Sequence, residues 1–116
     1  MSIYKIFHNP RCSKSRQTLQ ILKEHDCEVE VILYLETAID ESVLVDILGK
    51  MSLSPRDLLR KGEQEFKDNN LNSSNYSDQE IIKFMIQHPK LIERPIVLKG
   101  DQAILGRPPE NVLELI

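Results

Sequence analysis

Cys12 stands in the stretch Pro10-Arg11-Cys12-Ser13-Lys14-Ser15-Arg16, between a run of β-formers and the start of a helical pattern. A cysteine at a strand-to-helix junction places its sulfur near the free N–H groups of the first helical turn, where the helix dipole favours an anion. Arg11, Lys14 and Arg16 surround it with positive charge. Each influence favours thiolate over thiol, so the Cys12 pKa is expected below the free value of about 8.5. A thiolate at neutral pH is a nucleophile. Four residues span Cys12 to Ser15 as Cys-x-x-Ser, with serine where a second cysteine would make a dithiol redox motif. Serine cannot resolve a mixed disulfide, although its hydroxyl can donate a hydrogen bond to the thiolate. The chemistry of Cys12 therefore calls for an external thiol. The second cysteine, Cys27, follows the first helix. Across roughly a dozen helical residues it lies about 20 Å away, far beyond the ~7 Å Cα separation that a disulfide tolerates. Cys27 reads as structural.

The elements that position Cys12 follow from periodicity. Ile3 to Phe7 is a nearly continuous apolar run, expected as a strand buried on both faces. His8-Asn9-Pro10 is a turn signal. From Ser13 the pattern is helical, with Leu19, Ile21 and Leu22 as an apolar stripe and Arg16, Gln17, Gln20 and Lys23 facing water. Val29 to Tyr34 is a second strand, and strand–helix–strand implies parallel pairing. A helical block follows. Asp40 caps a segment with Val43, Leu44, Ile47 and Leu48. Ser54-Pro55 starts a helix through Leu59. Glu63 to Lys67 adds a turn, and Asn69 to Tyr76 is a loop. Ser77-Asp78-Gln79-Glu80 is a capping box before Ile81, Ile82, Phe84 and Met85, stopped by Pro89. Pro95 to Leu98, a turn at Lys99-Gly100-Asp101, and Gln102 to Leu105 form a hairpin. Pro108-Pro109 opens a last helix carrying Val112, Leu113 and Ile116. The order is β-α-β, helices, then β-β-α.

The stretch His8-Asn9-Pro10-Arg11-Cys12-Ser13-Lys14-Ser15-Arg16 resembles the active-site segment of the glutaredoxin-coupled arsenate reductases. Glu93-Arg94-Pro95-Ile96 resembles that family's second signature, and Gly106-Arg107-Pro108-Pro109 its third. The three run in the same order, and the resemblance extends from residue 3 to the C-terminus. It implies an α/β fold: a thioredoxin-like mixed β-sheet flanked by helices, with a helical insertion between the βαβ and ββα halves, and Pro95 as a cis-proline. It also implies Cys12 as the catalytic nucleophile, His8 and Ser15 as catalytic support, and Arg60, Arg94 and Arg107 as the oxyanion-binding arginines. Arginine suits that role because its planar fork offers five N–H donors to an oxyanion. The activity implied is reduction of arsenate to arsenite, a chemistry of arsenical resistance, with glutathione as co-substrate, glutaredoxin as recycling partner and no tightly bound cofactor. Where the family's best-studied branch has small residues after the cysteine, Ser13 and Lys14 follow it here, and the extra charge is expected to strengthen anion binding.

Bulk properties agree with a single domain over residues 1–116. Of 116 residues, 41% are apolar and 28% charged, and the formal net charge of −3 speaks against nonspecific nucleic-acid binding. No apolar run approaches the ~18 residues of a membrane span. Residues 1–8 are too short and polar for a signal peptide, so a cytoplasmic location is expected. No cysteine–histidine spacing suggests zinc. Two other readings share the fold. A redox-sensing regulator that binds RNA polymerase would typically carry Cys-x-x-Cys, against which Ser15 counts. A general glutathione-dependent thiol reductase has no evident use for three arginines.

Overall fold

The computed structural model describes residues 3–37, 39–73 and 75–116. The chain forms two compact units, one made of its first segment up to Thr37 together with Arg94–Ile116, the other of the intervening segment up to Glu93. The first unit is built on a four-stranded sheet in the order β2-β1-β3-β4, with β1 at Tyr4–Phe7, β2 at Val29–Ile32, β3 at Ile96–Lys99 and β4 at Gln102–Leu105. β1 pairs parallel with β2, from Tyr4 opposite Val29 to Phe7 opposite Ile32. It pairs antiparallel with β3, Tyr4 opposite Lys99, and β3 turns through Gly100 and Asp101 into β4. Gly100 has φ +57°, a value that glycine adopts without a Cβ penalty. This is the thioredoxin-like mixed sheet, with the helical segment inserted between its βαβ and ββα portions.

The parallel pairing requires a crossover, which helix α1, Ser13–Glu24, provides. Tyr4, Ile6 and Val97 on one face of the sheet form a core with Leu22 of α1 and with Val112 and Leu115 near the C-terminus. Each such buried side chain contributes about 1.5–3 kcal/mol. The Tyr4 hydroxyl donates to the Leu115 carbonyl at 2.9 Å. β1 is less apolar than expected at its start, since Ile3 and Lys5 are exposed while Tyr4, Ile6 and Phe7 are buried. Along α1 the inner face is partly polar. Ser15 and Thr18 are fully buried beside Leu22, whereas Leu19 and Ile21 only flank the core.

The last element differs most from expectation. Pro109–Leu115 is a 3₁₀ helix, with three residues per turn. Residues three apart share a face, so Pro109, Val112 and Leu115 are buried and Leu113 and Ile116 are exposed.

Helix α2, Glu41–Met51, a 3₁₀ turn at Pro55–Leu58, α3 at Gln64–Asp68, α4 at Asp78–Gln87 and a second 3₁₀ turn at Pro89–Leu91 make up the helical unit. α4 packs on α2 and on both 3₁₀ turns, with Leu44, Ile47 and Leu48 of α2 and Ile81, Ile82 and Met85 of α4 buried; Val43 is exposed. The capping box forms as the sequence predicts, the Glu80 N–H donating to Ser77 Oγ at 3.2 Å and the Ser77 N–H to Glu80 Oε1 at 3.0 Å. Arg56 ties the following loop by donating to the carbonyls of Leu71, Ser73 and Tyr76.

Three helices end on a left-handed residue that is not glycine: Asp26, Ser52 and Asn70, with φ of 57°, 55° and 53°. After each, an apolar residue's N–H reaches back to a carbonyl of the last turn: Cys27 to Leu22, Leu53 to Leu48, Leu71 to Phe66. This is the Schellman closure, in which an apolar residue packs back on the last turn. Cys27 is that residue for α1 and packs against the core that contains Leu22. The role of Cys27 is to close a helix.

Candidate active site

Beyond β1 the chain runs through a loop knitted by Asn9. Its side-chain oxygen accepts from the Arg11 N–H at 3.0 Å, its carbonyl accepts from the Cys12 N–H at 3.0 Å, and its own N–H donates to Ser15 Oγ at 3.1 Å. The loop therefore presents Cys12 as the cap of α1, with extended backbone angles of φ −95° and ψ 122°. Arg16 holds the loop from the helix side, its Nη1 donating to the Pro10 carbonyl at 2.8 Å. Sequence reasoning saw a turn here and missed the part played by Asn9. The signal available was an asparagine directly after a strand, a residue that bonds its own following backbone.

Cys12 is half-buried and its thiol is free. Burial alone pushes its pKa up. Opposing it are the Ser15 N–H, a hydrogen bond from the Arg94 side chain, the Arg94 charge and the Lys14 N–H, and together they bring the pKa below the ordinary thiol value. Lys14 and Ser15 are the second and third residues of the helix, whose N–H groups a capping side chain ordinarily satisfies. Cys12 occupies the cap position without a side-chain cap hydrogen bond, so these N–H groups act on its sulfur by favouring the anion. Two details differ from expectation. Arg94 is the cation that holds the thiolate, while Lys14 acts through its backbone. The Ser15 hydroxyl, fully buried, lies 2.6 Å from His8 Nδ1 and accepts from the Asn9 N–H.

His8 is buried, and that burial, reinforced by the charges of Lys23 and Arg16, pushes its pKa below the ordinary imidazole value. Its environment therefore favours the neutral imidazole, which serves as a hydrogen-bonding partner of Ser15.

Arg94 and Arg107 both emerge from the ββα portion. The peptide bonds Arg94–Pro95 and Arg107–Pro108 are both cis. Arg107 Nη1 donates to the Arg94 carbonyl at 3.3 Å, and the Gly106 N–H donates to the Pro95 carbonyl at 2.9 Å. Gly106 has no room for a side chain: an added Cβ would stand 2.5 Å from Thr18 Oγ1, 2.8 Å from Pro95 Cγ and 3.0 Å from Thr18 Cγ2. This close approach brings the residue before Arg107 against α1, the helix headed by Cys12.

The sheet unit thus holds Cys12, His8, Ser15, Arg94, Pro95 and Arg107. Arg60 belongs to the helical unit. Its Nε lies 3.4 Å from Glu63 Oε1 and its Nη1 3.7 Å from Glu93 Oε1. Its backbone is fixed by an isolated bridge between Leu59 and Ile92 and by its N–H donating to the Leu91 carbonyl at 2.7 Å. Among the described residues no group of three or more histidine, cysteine or acidic side chains could hold a metal ion. No helix among them is long and apolar enough to cross a membrane.

A cysteine at the head of a helix whose pKa is lowered by Arg94 and by nearby N–H groups can attack an electrophilic centre as thiolate, and a second arginine anchored on the first can bind an oxyanion. Comparison with known proteins points the same way. The model of the ArsC family matches residues 7–115. The uncharacterized protein YfgD of Escherichia coli K12 is 50% identical over 113 residues, covering 97% of this chain and 95% of that one. An arsenate reductase of Neisseria meningitidis serogroup A is 44% identical, covering 93% of each chain. The solved structure of an arsenate reductase from Vibrio cholerae superposes with a TM-score of 0.96 at 43% identity, covering 99% of this chain and 98% of that one.

Proposed function

The chain belongs to the ArsC family, and on that premise we propose that it reduces arsenate to arsenite with glutathione as reductant and glutaredoxin as recycling partner, in the cytoplasm. The observation that carries the reading is Cys12 at the head of α1 with Arg94, which lowers its pKa, and with Arg107 anchored on the Arg94 carbonyl. Cys12 Sγ attacks the arsenic of the oxyanion. A sulfur–arsenic bond forms and one arsenic oxygen leaves as water, taking up two protons. Arg94 and Arg107 neutralise charge on the remaining oxygens, which otherwise repel the incoming thiolate. Arg60 is the third arginine of the oxyanion set implied by the resemblance.

Reduction of arsenic from the pentavalent to the trivalent state takes two electrons. Two thiol sulfurs supply them by joining as a disulfide. Cys27 closes α1 at its far end, and a helix of twelve residues is about 18 Å long, so the further thiols come from outside. The sum is arsenate plus two glutathione giving arsenite, glutathione disulfide and water. His8, whose burial favours its neutral form, keeps Ser15 hydrogen-bonded. Pro95 packs its ring against Gly106 and so helps set the backbone between the two arginines.

The test is arsenite formation with glutathione and glutaredoxin, omitting each in turn. Turnover that needs arsenate, glutathione and glutaredoxin together supports the reading. Reduction of a mixed disulfide substrate at a normal rate with no arsenate turnover makes the chain a general thiol reductase instead.

A further inference from the structure

The ladder between β3 and β4 ends where Ile96 faces Leu105, yet the carbonyls of Leu105, Gly106 and Arg107 beyond it are not left to solvent. Asn111, on the 3₁₀ helix Pro109–Leu115, donates its side-chain amide to the Leu105 carbonyl at 3.3 Å and to the Arg107 carbonyl at 3.1 Å. Between them the Gly106 carbonyl lies 3.4 Å from Thr18 Oγ1, whose hydrogen goes chiefly to the Lys14 carbonyl at 2.8 Å. Thr18 therefore acts on Gly106 mostly by contact, with both its side-chain ends close enough to exclude a Cβ there. Asn111 is itself fixed by its N–H donating to the Pro108 carbonyl at 3.0 Å. An asparagine amide has two N–H donors, and both are spent on carbonyls that flank Gly106.

Resting on the oxyanion role given to Arg107 above, we infer that Asn111, working with Thr18 across Gly106, is a positioning residue for Arg107. An arginine side chain has many rotamers, and its usefulness to an oxyanion depends on where its backbone starts. Asn111 fixes that start and the Arg94 carbonyl fixes the tip. The end of β4, the 3₁₀ helix and the first turns of α1 thereby meet on the backbone that leads into Arg107. Nothing in the sequence marks Asn111 as functional: it lies outside all three signature segments and reads as a polar residue near the start of a helix.

The experiment measures how much sulfate protects Cys12 from iodoacetamide, and the rate ratio of anionic iodoacetate to neutral iodoacetamide. Neither readout requires turnover. The variants are Asn111→Leu, which removes both donors at similar volume, and Asn111→Asp, which keeps the shape and replaces donors by acceptors. Each is measured below its own melting temperature, with Arg107→Ala alongside. The expectation is that both Asn111 variants need on the order of tenfold more sulfate for half-protection, within what a displaced binding group costs. Both should also lose much of the iodoacetate preference, while the iodoacetamide rate stays near wild type. A residue that only stabilised the fold would leave the sulfate requirement and the ratio unchanged. If Arg107→Ala loses protection and both Asn111 variants keep it, the positioning role is overturned. If Arg107→Ala keeps it as well, the oxyanion role of Arg107 falls first and the inference with it.

Discussion

Replacing Gly106 with alanine adds one methyl group, and the surroundings of that methyl set the outcome. Its three nearest atoms would be 2.5, 2.8 and 3.0 Å away, on Thr18 and Pro95. Carbon in ordinary contact needs about 3.5–4.0 Å, so something must shift by roughly 1 Å. Neither neighbour is flexible. Thr18 is fully buried on α1 and β-branched, with few χ1 choices in a helix; the proline ring cannot rotate away. Overpacking of this kind costs about 1–3 kcal/mol. Gly49 makes the control, since it lies inside α2 with nothing within 4 Å of an added Cβ. Alanine there removes the helix penalty of glycine and stabilises by about 1 kcal/mol. The two single-methyl changes therefore differ by roughly 2–4 kcal/mol in opposite directions. At about 4 °C per kcal/mol for a chain of this size, that separates their melting temperatures by about 8–16 °C. Thermal melts followed by circular dichroism measure it. Equal melting temperatures would refute the reasoning, because the close approach at Gly106 would then not constrain the fold.

Three further outcomes are expected. Cys12→Ser abolishes arsenate reduction and iodoacetamide labelling of the site, whereas Cys27→Ser keeps activity and costs about 1 kcal/mol through the helix closure it weakens; a Cys27 variant as inactive as Cys12→Ser would rule out a single nucleophilic thiol. Because folding lowers the Cys12 pKa, the thiolate stabilises the native state fully above the unfolded value of about 8.5. That contribution is lost as pH falls through the lowered folded value. The stability of wild type relative to Cys12→Ser should therefore rise with pH across that window and level off above it, as urea melts at several pH values will show. Finally, Arg94→Ala removes both the hydrogen bond and the charge, so the pH midpoint of Cys12 alkylation moves up and arsenate kcat/KM drops by one to three orders of magnitude. Arg94→Lys recovers only part of each, since a point charge does not reproduce the fork.

How much of this was readable from sequence depends on which signal carried it. Cys12 at the head of α1, the parallel pairing of β1 with β2, the Ser77–Glu80 capping box and the hairpin at Gly100 all follow from local patterns that act over a few residues. The buried face of α1 did not. Ser15 and Thr18 are polar, and hydropathy assigns polar residues to solvent; what buries them is tertiary, namely His8 and Asn9 for Ser15 and Gly106 for Thr18. The helix ends were hidden because Asp26, Ser52 and Asn70 take the left-handed position where glycine is the usual marker. Glycines at 49 and 62 gave no hint of them. The final helix was legible as a helix but with the wrong period, and one change from 3.6 to 3.0 residues per turn exchanged Leu113 and Ile116 for Pro109 and Leu115 on the inner face. The anchoring of Arg107 by Asn111 could not be read at all, because both contacts are set by where the chain doubles back.

β1 lies between β2, the next strand in the chain, and β3, which comes near its end. During synthesis the first pairing is available early, while the second waits for Lys99 to reach Tyr4. About 80 residues separate Cys12 from Arg94, which at roughly 5–20 residues per second is several seconds of elongation. Throughout that interval the nascent chain carries Cys12 without the guanidinium that holds its thiolate, and with the sheet's second neighbour missing. A chain that ends before Arg94 keeps the Ser15 and Lys14 N–H groups beside the sulfur but lacks the guanidinium, so its thiol is less acidic than that of the completed sheet.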